Sequence, residues 1–155
     1  MRAYVARFGG DPELWGLVGL LHDFDYERWP SLEDHALKGA EILAARGYPQ
    51  EVIHAIKTHT GHLGLARVSD LEKALFAVDE LSGFIVAVAL VRPDRCLAEV
   101  GRDSVQRKLK DKAFARGVSR DDVRAGAAEL GVPLDEHIDF LLAAMRGIAA
   151  DLELA

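Results

Sequence analysis

Cysteine is nearly missing from this chain of 155 residues: Cys96 stands alone, so neither an internal disulfide nor a thiolate metal cluster can form. Any metal must therefore rest on nitrogen and oxygen. Cys96 follows Arg92-Pro93 with no activating neighbour and reads as an inert thiol. Long apolar runs are missing as well, since the longest, Phe84 to Val91 (FIVAVALV), falls far short of the roughly 20 residues that span a bilayer. The N-terminal MRAYVARFGGD has no apolar stretch of the kind a secretory signal needs. Positive charge is not in excess either. Lys plus Arg number 19 against 25 Asp plus Glu, a net charge of −6, which gives no electrostatic ground for binding a nucleic-acid polymer or an anionic membrane. GxSxG, GxxxxGK[ST] and HExxH are all absent, which removes the common serine-hydrolase, P-loop and zincin readings. A cytoplasmic globular protein, one domain over residues 1–155, is the expectation.

What is present points to helices. Half the residues are apolar and 28% are charged, and segments of 3.6-residue periodicity lie between capping signals while strict alternation is scarce. Asp11-Pro12-Glu13 opens a helix through LWGLVGLLHD. Ser31 with Asp34 resembles a capping box for LEDHALKGAEILAAR, which Gly47 closes, and Pro49 begins the next helix, through VIHAIKTH. Ser69 with Glu72 opens a long apolar helix ending before Arg92-Pro93, with Leu71, Leu75, Val78, Ser82, Ile85 and Ala89 along one face. Ser119 with Asp122 opens another, closed near Gly131, and Pro133 begins the last, through DEHIDFLLAAM. Residues 94–118, rich in Lys and Arg, read as exposed helix and loop. MRAYVARF begins in mid-pattern without a cap and resembles the second half of a helix. The expected class is all-α, with a motif-bearing part over about 11–93 and further helices over 94–155.

The histidines number six, and His22, His35, His54, His59 and His62 fall in one stretch. His22-Asp23 ends an apolar helix, where a nitrogen and an oxygen donor suit Zn, Mn or Fe alike. Asp79 falls among Leu75, Phe76, Val78 and Phe84, and a carboxylate in apolar surroundings needs a cation or donors to offset its desolvation. It is a candidate partner for His22 and Asp23. Its other reading is a pairing with an Arg or exposure beside Glu80. His35 stands four residues before Gly39, whose missing side chain leaves room for a close approach. His54 and His62 read as favourable partners of a helix dipole, and His137 as a packing or surface residue.

GLLHDFD, DHALKGAEIL, VIHAIKTH and LFAVDELSG, in that order between Leu14 and Arg92, resemble the HD superfamily of metal-dependent phosphohydrolases, in particular its HDIG-like branch. The resemblance implies an all-α domain around a metal centre, with His22 and Asp23 as the ligand doublet and Asp79 as the later Asp. It further implies His35 and His59 as ligands of a second metal, bridged by Asp23, so that one or two divalent ions (Mn, Fe, Zn, Mg or Co) are expected. The implied reaction is hydrolysis of a small phosphate ester, most simply a nucleotide, by metal-activated water, with Asp23 at the catalytic centre. Lys38, Arg92 and Lys108, and also Lys110 and Lys112, are candidate phosphate contacts. Two features depart from the pattern. The family's first His, well ahead of the doublet, has no counterpart here, so the chain is expected to start behind the front of its first helix and to be one ligand short. Phe24-Asp25 also stands where the branch has Ile-Gly, and its following Lys is absent. A non-catalytic regulatory module binding metal or nucleotide is the alternative, and a di-iron oxygenase a third reading on the same scaffold.

Overall fold

The computed structural model describes residues 1–155 and contains eight α-helices and no strand. These are α1 (Val5–Phe8), α2 (Pro12–Leu21), α3 (Leu37–Ala45), α4 (Gln50–His59), α5 (Asp70–Leu90), α6 (Arg102–Lys110), α7 (Arg120–Glu129) and α8 (Leu134–Arg146). The all-α class read from the sequence is the observed one. The chain divides into two units, Met1–Phe76 and Ala77–Ala155, with the boundary inside α5. No helix is long and apolar enough to cross a membrane.

In the first unit, helix starts follow local chemistry. Asp11 Oδ1 accepts from Glu13 N at 2.9 Å, and Pro12 at the first helical position gives up an N–H that had no partner to lose. The preceding residues form a 3₁₀ turn, Arg2–Tyr4, running into α1, with the Tyr4 ring buried. Helix α4 buries Val52, Ala55, Ile56 and His59, the i, i+3, i+4, i+7 stripe of an amphipathic helix, and packs on both α2 and α3. His59 is thus carried on the inward stripe.

The start of α5 is a reciprocal box: Glu72 N donates to Ser69 Oγ (3.3 Å), while Glu72 Oε2 accepts from Ser69 N (3.2 Å) and Val68 N (2.7 Å). Its second oxygen, Oε1, lies 2.8 Å from His54 Nδ1. Burial alone raises the Glu72 carboxyl, but the bonds from His54, Val68 and Ser69 outweigh it and hold the group below its ordinary value. A carboxyl depressed on folding adds stability above its unfolded value, about 4.3, and loses it as pH falls through the folded one. Glu72→Gln is therefore expected to lower stability against urea by about 1–2 kcal/mol at pH 7, with the difference shrinking below about pH 4. A constant difference from pH 7 to pH 3 would contradict this assignment.

One helix starts later than its sequence signal. Asp34 N does donate to Ser31 Oγ, at 3.3 Å, but residues 32–36 form turns and α3 begins only at Leu37. Ala36 has a positive φ of 65°, which no run of helix accommodates. The physical reason is a distant cap, described below: the Asp25 carboxylate takes the N–H groups of Ala36 and Gly39.

The second unit buries Leu81, Phe84, Ile85, Leu97, Val105, Val123, Ile138 and Leu142. Here α7 comes so close to α5 that a Cβ on Gly126 would meet Ala77 Cα at 2.6 Å. His137, fully buried on α8, donates from Nε2 to Ala77 O at 2.8 Å. Ser119 Oγ caps α7 through Asp122 N at 3.2 Å. The stretch 94–118 contains α6, whose Val105 and Leu109 are buried under an otherwise polar surface.

Candidate metal centre

The centre is built by three histidines that share one orientation device. His22 caps the C-terminus of α2 in helical conformation, and its Nδ1 donates to Gly19 O at 2.8 Å. His59, at the end of α4, donates from Nδ1 to Ile56 O at 2.5 Å. His35, just before α3, has Nδ1 3.0 Å from Asp25 Oδ1, and because a carboxylate only accepts, the ring nitrogen donates. With every Nδ1 committed in this way, each neutral ring presents a lone pair at Nε2.

All of those Nε2 atoms face Asp23. Asp23 Oδ1 lies 3.3 Å from His35 Nε2 and 3.3 Å from His59 Nε2, and Oδ2 lies 3.6 Å from His22 Nε2. The rings stand edge to face, His22 on His59 at 5.3 Å and His35 on His59 at 5.2 Å between centroids. His35 and His59 are buried, whereas the Asp23 side chain is 49% exposed. The cluster therefore opens to solvent on the carboxylate side. When the rings are protonated at Nε2 as well, the hydrogen bond from His59 holds the Asp23 carboxyl below its ordinary value against the opposing effect of burial, and the charges of His22, His59 and His35 act in the same direction.

Lone pairs of neutral imidazoles converging on a carboxylate repel one another unless positive charge lies between them. A proton or a metal cation meets that need. The ligand atoms of Asp23, His35 and His59 lie within 4.8 Å of one another, and tetrahedral ligands about 2.05 Å from an ion are about 3.3 Å apart, so the spacing fits one coordination shell. The donor set fits a borderline divalent ion: imidazole nitrogen with carboxylate oxygen, and no sulfur.

Asp79 is half-buried on α5, three residues into the second unit, with Ser82 Oγ donating to its backbone carbonyl at 2.9 Å. His54 serves Glu72, and His62 is exposed on the 3₁₀ turn Gly61–Leu63. Lys38 reaches Glu41 at 3.0 Å, Arg92 forms a paired contact with Asp94 at 3.0 Å, and Lys108 Nζ lies over the Phe114 ring at 4.5 Å. Lys110 and Lys112 are exposed.

Two neighbours of the cluster escaped the sequence reading. Asp25 is buried, and besides His35 its carboxylate accepts from Ala36 N (3.0 Å) and Gly39 N (2.7 Å). Tyr26, half-exposed, sets its ring edge to face with His35 at 5.1 Å. The one signal for Asp25 was Gly39, where a Cβ would come within 2.9 Å of Asp25 Oδ2.

An all-α protein with a His/Asp cluster of metal-ligating type is what fold and site define. The HD domain family model matches residues 1–83, more than half of the chain, and the chain belongs to the HD domain family. Proteins of this family typically bind divalent metals and act as phosphohydrolases. Over 80 residues the chain is 35% identical to Ribonuclease Y 2 of Bdellovibrio bacteriovorus, an alignment that takes in 51% of this chain and 15% of that protein. The chain thus corresponds to a small part of that relative. No solved structure matches it.

Proposed function

We propose that the chain is a cytoplasmic metal-dependent phosphohydrolase acting on a small phosphate ester, a nucleotide or a compound like one, and that residues 1–155 work as one HD domain. The observation that carries this reading is the convergence of the His22, His35 and His59 Nε2 atoms on the Asp23 carboxylate, with each Nδ1 anchored elsewhere. His22, Asp23, His35 and His59 would hold one or two divalent ions. Asp79 takes the place of the family's later Asp, on the strength of the LFAVDELSG resemblance.

A divalent ion held by these residues would lower the pKa of water to near neutrality and would offset negative charge on a phosphoryl oxygen. The buried imidazoles fix the donor directions and exclude water behind them. Asp23, exposed on one side, leaves the open face to substrate. Of the cations, Lys38 stands three residues after His35, and Arg92 and Lys108 are further candidates for the phosphate, each needing to leave its present partner first. The net charge of −6 favours a small substrate over a polymer.

Purified protein loaded with Mn²⁺ is expected to hydrolyse members of a panel of nucleoside phosphates, p-nitrophenyl phosphate and its bis ester. Activity should vanish with EDTA and return with Mn²⁺. An RNA oligonucleotide belongs in the panel because of the relative's name. Stoichiometric metal binding without turnover of any panel member would overturn the enzymatic reading in favour of a regulatory module. His35→Ala should lower metal stoichiometry and cut activity by at least the roughly 10–100-fold typical for losing even an outer-shell partner of a metal ligand. Unchanged values for both would remove His35 from the site.

A further inference from the structure

We propose that Asp25 is a positioning residue of the metal centre, one that fixes the His35 tautomer and makes His35 the most strongly donating of the imidazoles. The inference rests on the metal-binding part of the reading above. Two of the histidines lean on neutral carbonyls, His22 on Gly19 O and His59 on Ile56 O. His35 alone leans on a carboxylate, and that carboxylate is almost fully buried, 1% exposed. A hydrogen bond to a buried anion pulls the Nδ1 proton harder than one to a carbonyl and leaves more electron density at Nε2.

The Asp25 oxygens have separate tasks. Oδ2 accepts both backbone donors, Ala36 N at 3.0 Å and Gly39 N at 2.7 Å, and so starts α3; Oδ1 faces only the His35 ring, at 3.0 Å. This division makes the role separable from the fold. In Asp25→Asn the two backbone N–H groups demand an acceptor at the Oδ2 position, so the amide oxygen goes there and the amide NH₂ takes the Oδ1 position. An NH₂ group donates. His35 Nδ1 must then accept, which moves the ring proton to Nε2, the atom 3.3 Å from Asp23 Oδ1. A protonated Nε2 cannot ligate a metal. The cap of α3 survives in this variant while the ligand is lost.

The test has two readouts independent of turnover. Long-range ¹H–¹⁵N spectra of the metal-free wild-type protein at about pH 9, above the ordinary imidazole value near 6.5, should show His35 protonated at Nδ1. In Asp25→Asn, folded by circular dichroism, the proton should sit at Nε2, and Zn²⁺ affinity by calorimetry should drop by about 10–100-fold. A wild-type His35 protonated at Nε2 overturns the proposal, even if the variant does not fold. So does a folded Asp25→Asn that binds Zn²⁺ as tightly as wild type. The expected tautomers and Zn²⁺ affinities without hydrolysis of any phosphate ester would support the role of Asp25 and count against the proposed reaction alone.

Discussion

Asp23→Asn is expected to weaken Mn²⁺ binding by more than about 100-fold, beyond the range typical of outer-shell losses, and to reduce phosphate-ester hydrolysis to background. The substitution keeps shape and removes charge. Asp23 is the residue on which all three Nε2 lone pairs converge, at 3.3, 3.3 and 3.6 Å, so its oxygens belong to any coordination shell the histidines form. With a neutral amide there, an ion would keep only uncharged nitrogen donors from this cluster, and the amide nitrogen offers hydrogens rather than a lone pair. The fold should hardly notice. Half of the Asp23 side chain is exposed, and its partners are ring nitrogens rather than backbone groups of a helix end. Circular dichroism and urea unfolding should match wild type to within about 1 kcal/mol, as for exposed polar sites. A variant that retains Mn²⁺ affinity and turnover would mean that the cluster is an ordinary hydrogen-bonded group of polar side chains.

The sequence made some features of this molecule plain because their causes are local. Asp11-Pro12, Ser69 with Glu72 and Ser119 with Asp122 each act within one helical turn, and each cap bond is present. The inward stripe of α4 is periodic, so His59 could be placed beside buried apolar residues. Ser31 with Asp34 shows where such reasoning stops. The local bond forms, but the competing acceptor is a carboxylate from another segment, Asp25, and it decides that α3 begins at Leu37. Nothing in the pattern of residues 22–29 reveals which way the Asp25 side chain points, because turns have no fixed period to read. His54 teaches the same lesson. A helix-dipole role was expected from its neighbourhood alone, while its partner, Glu72, lies eighteen residues away in the chain and already serves as the cap of another helix.

Gly39→Ala and Gly83→Ala, the same change in two helices, are expected to act with opposite sign. In α5, nothing lies within 4 Å of the place a Gly83 Cβ would take, so alanine there gains its helix propensity and should stabilise by about 0.5–1 kcal/mol. In α3 the same gain is available but is outweighed. A Cβ on Gly39 would sit 2.9 Å from Asp25 Oδ2 and 3.1 Å from Phe24 Cε1. The Phe24 ring is 40% exposed and can swing aside. Asp25 cannot, because His35 Nδ1, Ala36 N and Gly39 N all donate to it, the last from the very residue being changed. Moving the carboxylate stretches those bonds together, and overpacking with weakened buried hydrogen bonds costs about 2–4 kcal/mol before the propensity gain is subtracted. A net loss of about 1–3 kcal/mol is expected in urea unfolding. Because the displaced carboxylate also orients His35, Mn²⁺ affinity should fall together with stability in Gly39→Ala and stay at the wild-type value in Gly83→Ala. If Gly39→Ala proves as harmless as Gly83→Ala in both measurements, then Asp25 does not hold the start of α3 against the metal ligands, and the close approach at Gly39 has no consequence for the site.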